Sequence, residues 1–228
     1  MTQPSCAVVG VGPGNGAAFA RAFDREGYSL ALLARSTDFG GELAHSLRDA
    51  RAIACDVGDP TSVETAFAGL APEVVIYNAG TGVFTGFDNT KVADFEASWR
   101  VNALGAFCVA KQVVPAMKRA GKGTLIFVGA TASLRGGPMT SAFAPAKAAQ
   151  RSFAEALARE FAPAGVHVAV LVIDAVVDLP RTRQRFTDKP DDFFIKPDDI
   201  AGAAVALAKQ PRSAWTFEQI VRPFGERW

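Results

Sequence analysis

Short apolar runs rich in β-branched residues alternate along this chain with longer segments of helical period, and that alternation limits the fold more than any single motif. Strands are expected at residues 7–9, 29–33, 52–54, 74–77, 124–128, 166–173 and 217–221. Helices are expected at residues 17–23, 42–47, 61–68, two within 92–117, then 141–161 and 198–208. Strands that are apolar throughout and separated by helices belong in a parallel sheet covered on both faces. The expected fold is therefore α/β, a doubly wound, Rossmann-like parallel sheet. At 228 residues with 49% hydrophobic side chains, and no repeat or linker, the chain reads as a single domain spanning 1–228. Its least regular stretch, 176–197, is rich in charge and proline. By length this is either a mobile loop over a site, where it would set the substrate, or a plain surface loop.

Composition excludes several partners. Lys and Arg number 24 against 23 Asp and Glu, so the net charge of +1 supplies no field for nucleic acid or an anionic membrane. Cys6, Cys55 and Cys108 are widely spaced and lie in apolar runs, as reduced thiols do, and no metal-ligand pattern is present. No run approaches the roughly eighteen apolar residues of a membrane span, and the N-terminus has no signal-peptide pattern. A cytoplasmic protein acting on a small molecule is expected.

Between the first strand and first helix stands Gly10-Val-Gly12-Pro-Gly14-Asn15-Gly16. Glycines there let backbone approach a pyrophosphate, and the helix N-terminus offers unpaired N–H groups to that anion. Two spacings fit: Gly12, Gly14 and Ala17, or Gly10, Gly14 and Gly16; the later motifs favour the second. A tight turn without a ligand is the plain alternative. Arg35 follows the second strand, where a carboxylate would bond the ribose hydroxyls of NAD and an arginine would meet the 2′-phosphate of NADP. NADP(H) is thus expected over NAD(H), although Asp38 lies close by and a solvated arginine is common.

With these residues in view the chain resembles the short-chain dehydrogenase/reductase family from residue 7 to about 208. The resemblance rests on the glycine turn, Asp56-Val57, Asn78-Ala79-Gly80, Asn102 in Val-Asn-Ala-Leu-Gly, and Lys147 in Ala-Lys-Ala-Ala. It implies that Asp56 and Val57 contact the adenine and that Asn78, Ala79 and Gly80 shape the cofactor cleft. Asn102 would kink its helix and hold a relay water, and Lys147 would bind the nicotinamide ribose. Singly, Asp56 and Asn102 could serve as a cap and a backbone-bonding helix residue, and Lys147 could be a solvated lysine.

The family's reaction centre is a tyrosine four residues before the lysine and a serine about thirteen before the tyrosine. A phenol one turn from an ammonium has its pKa lowered and can exchange a proton with the substrate. Here those positions are Phe143 and Ala130, and neither Tyr28 nor Tyr77 has a lysine at i+4. If the segment continued as a strand, Thr131 would face away from Ala130, and Ser133 would need a bend to reach the site. Ile173-Asp174-Ala175-Val176 replaces the usual Pro-Gly pair beside the nicotinamide. Asn102 and Lys147 are then the remaining catalytic candidates. Three readings follow: an NADP(H)-dependent oxidoreductase with a non-standard proton relay, acting on an activated C=C bond or a carbonyl compound; an inactive dinucleotide-binding sensor or assembly subunit; or a non-redox lyase or isomerase.

The helices around 95–117 and 141–161 carry Phe107, Val109, Val113, Phe153 and Leu157, more apolar surface than a water-facing helix tolerates. In the family these helices pack across a dimer axis, so a homodimer or homotetramer is expected. Trp215, Phe217, Phe224 and Trp228 near the C-terminus either line a cleft or pack on the core.

Overall fold

The computed structural model describes residues 3–225. In chain order the elements are β1 (Ser5–Val9), α1 (Asn15–Arg25), β2 (Ser29–Ala34), α2 (Asp38–His45), β3 (Ala50–Ala54), α3 (Pro60–Phe67) and β4 (Val74–Tyr77). There follow α4 (Val92–Trp99), α5 (Gly105–Ala120), β5 (Gly123–Ala130), the single turn α6 (Thr131–Leu134), α7 (Phe143–Phe161) and β6 (Val166–Ile173). The last are β7 (Val176–Val177), α8 (Pro180–Arg185), β8 (Phe194–Ile195), α9 (Pro197–Ala208) and β9 (Glu218–Val221).

Seven strands form one sheet in the order β3-β2-β1-β4-β5-β6-β9, with every pairing parallel. Alternation along each strand divides the core. Val8, Ile126 and Leu171 point to one face, covered by α1, α2 and α9 through Phe19, Leu43 and Ile200. Val9, Phe127 and Val170 point to the other, covered by α3, α5 and α7 through Val63, Val113 and Ala154. This is the expected Rossmann-like α/β fold. The strand order reverses between β1 and β4, and in such sheets that reversal opens a crevice beyond the carboxyl ends of the strands.

Three features sharpen or depart from the sequence-based expectation. First, residues 92–117 hold the two expected helices, and the chain between them is a π-turn at Arg100–Leu104 that contains Asn102. Its cause is lateral: the Tyr77 hydroxyl donates to the Val101 carbonyl, and Gln150 Nε2 donates to the Asn102 carbonyl at 2.9 Å. Carbonyls drawn sideways leave the i→i+4 ladder, and the chain takes an extra residue there. Second, 176–197 is ordered: β7 and β8 pair, and Arg183 holds Asp178 and Asp191 while lying over the Phe194 ring at 4.0 Å. Local ion pairs and ring contacts give this segment a structure that periodicity alone does not show. Third, Val109 and Val113 cover the sheet and are buried, so of the apolar residues noted on α5 only Phe107 is exposed. Trp215 stacks on His167 with ring centroids 4.9 Å apart, and Phe217 packs against the core. Phe224 is exposed, while Trp228 lies outside the described residues.

Gly10, at the end of β1, has φ +90°, and a Cβ there would stand 2.5 Å from the backbone of Ala79 at the end of β4. Neither strand end can yield without breaking the β1–β4 pairing. We expect Gly10→Ala to cost about 2 to 4 kcal/mol of stability. A urea midpoint equal to that of the natural chain would show that the two strand ends do not approach this closely.

Candidate functional site

The crevice begins at the glycine turn. Gly10 and Val11 N–H groups both donate to the Leu33 carbonyl, which pins the turn to β2. A Cβ at Gly14 would meet the Leu179 side chain at 2.6 Å, and one at Gly16 would meet the Gly10 carbonyl oxygen at 2.8 Å. A Cβ at Gly12 would meet nothing within 4 Å. Backbone contacts thus require glycine at 10 and 16 and a φ of +135° favours it at 14, the second of the two spacings, while Gly12 stands at an open position. No side chain caps α1, although the Ala17 N–H donates to the Gly12 carbonyl at 3.1 Å, and a helix start of this kind can meet an anion. Asn15 Oδ1 is buried at this turn without a hydrogen-bond partner.

Arg35 follows β2 directly and is exposed. Asp38 lies in the first turn of α2, where the helix dipole favours its charge, and its carboxylate accepts from the Ser36 hydroxyl at 2.8 Å. Asp56 is exposed and accepts from the Gly58 N–H at 2.9 Å, closing a local turn, whereas Val57 is buried in the core. Asn78 Nδ2 donates to the Gly10 carbonyl at 2.8 Å, so the end of β4 is bonded to the turn after β1. Ala79 packs on Gly10, and a Cβ on Gly80 would approach Asn102 Oδ1 at 3.2 Å and Lys147 Nζ at 3.7 Å. One contact path therefore runs from the glycine turn to Lys147.

Lys147 projects from α7 into the protein. Its ammonium donates to the Val128 carbonyl at 2.9 Å and to Gln150 Oε1 at 3.1 Å, and it lies 6.0 Å from the centre of the Phe143 ring. No carboxylate pairs with it among the described residues, and burial lowers its pKa from 10.5 to about 8. Asn102 is fully buried: its Nδ2 donates to Thr81 O at 2.6 Å and to Ser98 O at 2.8 Å. Its Oδ1 has no partner.

Phe143 opens α7. Its ring packs against Gly82, where a Cβ would stand 2.5 Å from Cδ2, and against the half-exposed Phe84, 5.2 Å away. Val83, Phe87 and Met139 are also exposed nearby in sequence, and an isolated bridge joins Thr85 to Thr140. The position of the phenol is thus part of an apolar wall.

At Ala130 the strand ends and α6 begins, so the chain does bend. Ser133 Oγ uses that bend to accept the Ala130 N–H at 3.1 Å. Thr131 turns to β6 and donates to Asp174 Oδ1 at 2.6 Å; Arg135 reaches the same oxygen at 3.3 Å. The residue at the tip of β6 is therefore a buried carboxylate with two donors. Sequence reasoning missed this cluster and missed Gln150. A polar residue at i+3 from Lys147, on the buried side of an alanine-rich helix, was the available signal for the latter.

Among the described residues no group of His, Cys, Asp and Glu is arranged to hold a metal, and no helix is long and apolar enough to cross a membrane.

A doubly wound parallel sheet with a glycine turn after its first strand defines a Rossmann-type domain. Residues 5–189 match the profile of the family described as short chain dehydrogenase. An uncharacterized oxidoreductase of Mycobacterium tuberculosis is 31% identical over 97% of this chain and 93% of its own length. A short-chain dehydrogenase from Rhodopseudomonas palustris has a structure similar to this one, with a TM-score of 0.84 and 31% identity over 98% of this chain and 100% of its own. An archaeal alcohol dehydrogenase of Thermococcus sibiricus, solved with 5-hydroxy-NADP, gives 0.87 and 29% over 99% of both chains. The chain belongs to the short-chain dehydrogenase/reductase family of oxidoreductases.

The buried ammonium sets a pH dependence. Below about pH 8 Lys147 is charged in both folded and unfolded chains, and burial opposes folding. Between that lowered value and 10.5 the folded chain has released the proton while the unfolded chain still binds it, so stability rises with pH. Relative to Lys147→Met, the natural chain should gain up to about 3 kcal/mol across this window, read by denaturant titration. A difference that does not change with pH would mean that the ammonium is solvated.

Proposed function

We propose that this chain binds a nicotinamide dinucleotide, NADP(H) in preference to NAD(H), and oxidises or reduces a small molecule whose reaction needs no phenolic proton donor. An activated C=C bond fits that requirement; a carbonyl compound would have to take its proton from water. The observation that carries the reading is the closeness of the glycine turn, bonded by Asn78 and packed by Ala79, to Gly80, where a Cβ would stand 3.7 Å from Lys147 Nζ. The turn starts at the end of β1, beside the strand reversal where ligands of such sheets bind.

Gly10, Gly12, Gly14, Asn15 and Gly16 would hold the pyrophosphate at the uncapped start of α1, and Arg35 the 2′-phosphate. Asp56 and Val57 would border the adenine. Asn78, Ala79 and Gly80 would border the nicotinamide half, and Lys147 would bond its ribose. When bound, such a cofactor supplies hydride-transfer chemistry. The neighbour from Thermococcus sibiricus was solved with an NADP derivative, which supports this choice.

Proton handling is the altered part. Loss of a positioned acid or base costs about 10² to 10⁴ in rate, so simple ketone reduction should be slow. Asn102 is enclosed and Lys147 is the sole cation we assign to the centre. The apolar wall of Phe84 and Phe143 favours an apolar substrate body, and 176–197, with Leu179 against Gly14, would border it and set its identity. A second reading, a dinucleotide binder without turnover, is favoured by the same wall, which puts no hydroxyl at Phe143 or Ala130.

Fluorescence titration tests the cofactor assignment. NADPH should bind at least about tenfold more tightly than NADH, and Arg35→Ala should remove most of that preference. No fluorescence change at millimolar NADPH would exclude both readings. NADPH consumption with a panel of enones and ketones then separates an enzyme from a binder.

Assembly and location extend the proposal. Phe95, Trp99 and Phe107 are 41%, 44% and 47% exposed on α4 and α5, and a groove of about 440 Å³ runs between Phe95, Trp99 and Leu104. Exposed aromatics grouped in this way mark an interface, and a second copy of this chain is the occupant we assign. The unpaired thiols suit the cytosol. Light scattering should give a multiple of 24 kDa, and Trp99→Asp combined with Phe107→Asp should shift it to the monomer. A natural chain already monomeric would refute the interface.

A further inference from the structure

Gln150 lies one turn beyond Lys147 on α7 and joins two groups that, among the described residues, no other side chain bonds together. Its Oε1 accepts from Lys147 Nζ at 3.1 Å and its Nε2 donates to the Asn102 carbonyl at 2.9 Å. Gln150, Lys147 and Asn102 are all buried. The amide's orientation is forced, because the ammonium only donates and the carbonyl only accepts. The chain of bonds then continues from Asn102 Nδ2 to Thr81 O and Ser98 O, and from Lys147 to Val128 O. It ties the loop after β4, the π-turn, α7 and β5 to one ammonium.

Two consequences follow from the chemistry of the bridge. A carboxamide neither releases nor takes up a proton near neutral pH, so no proton passes from Lys147 to Asn102 through it. An ammonium also has three N–H groups, and Val128 and Gln150 take two of them. That leaves one for a ligand, and a Cβ at Gly80 would stand 3.7 Å from Nζ. A lysine is otherwise a point charge on a flexible four-carbon stem.

We infer that Gln150 is a positioning residue that fixes the Lys147 ammonium as a stationary cation for the cofactor ribose and holds it out of proton transfer. This rests on the cofactor reading given above. Unlike Ala130, Phe143 and Asp174, this residue lies behind the lysine.

The test compares two substitutions whose order depends on mechanism. Gln150→Leu keeps the volume and removes both hydrogen bonds. Gln150→Ala opens space on the scale of one water, about 30 Å³, with Lys147 Nζ and the Asn102 carbonyl as its partners. NADPH affinity, read by fluorescence, should fall about tenfold or more in Gln150→Leu and by clearly less in Gln150→Ala. If Gln150 merely fills space, the order reverses, with Gln150→Ala the weaker binder. Reversal, or affinity unchanged in both, overturns the proposal. Should Gln150→Leu not fold, Gln150→Met makes the same comparison.

The proton-transfer half has its own arm. With NADPH and 4-nitrobenzaldehyde, adding Gln150→Ala to an Ala130→Ser, Phe143→Tyr variant should raise turnover at least about tenfold. Equal rates, zero included, overturn that half. Absence of NADPH binding to the natural chain would instead refute the cofactor reading, and is seen before any variant is made.

Discussion

The parallel pairing of β1 with β4 places two chain reversals side by side, and the arrangement of the crevice follows from how closely their backbones meet. Gly10 has a positive φ, and Ala79 occupies the space a side chain would need. Asn78 bonds back to the Gly10 carbonyl, which fixes Gly80 at the mouth of Lys147. A contact between backbones is stiff, since neither side has a rotamer to change. The uncapped start of α1 and the buried ammonium are thereby held in one frame, although 137 residues separate Gly10 from Lys147.

Within that frame the two halves of the crevice have different chemistry. Around the glycine turn and Lys147, polar side chains cluster: Asn78 and Lys147 have defined partners, while Asn15 Oδ1 and Asn102 Oδ1 are buried without one. At the position of a phenol, a ring packs on Gly82 and Phe84, and at the position of a serine there is a methyl group. The polar groups nearby are turned away: Ser133 caps the end of β5, and Thr131 and Arg135 serve the buried Asp174. A carboxylate in that setting is tolerated because it is bonded twice, since an unpaired buried charge is strongly unfavourable. Lys147 lacks such a partner, and burial shifts it toward its neutral form.

Much of this was legible in the linear chain. Seven apolar runs and the helices between them predicted the sheet, because period and length distinguish buried strands from helices with no knowledge of contacts. Gly10, Gly14, Gly16, Asn78 and Lys147 stood out through joint spacing, and Phe143 through its distance from Lys147. Asp174 was visible as an unexpected acid, but not its pairing with Thr131, which depends on the chain bending at Ala130. Gln150 carried no signal strong enough to separate it from a solvated helix residue. The ordering of 176–197 also escaped, because an arginine gripping two aspartates leaves no periodic trace.

What the sequence determined by itself was the class of fold, the glycine turn and the absence of both family hydroxyls, since these depend on residue identity and local spacing. Tertiary structure alone decided which polar side chains meet: Gln150 with Lys147 and Asn102, Thr131 with Asp174, Leu179 with Gly14. The physical reason is range. Periodicity and turn chemistry act over a few residues, whereas a hydrogen bond between β5 and β6 or α7 and the π-turn exists only after the sheet has brought distant segments within about 3 Å.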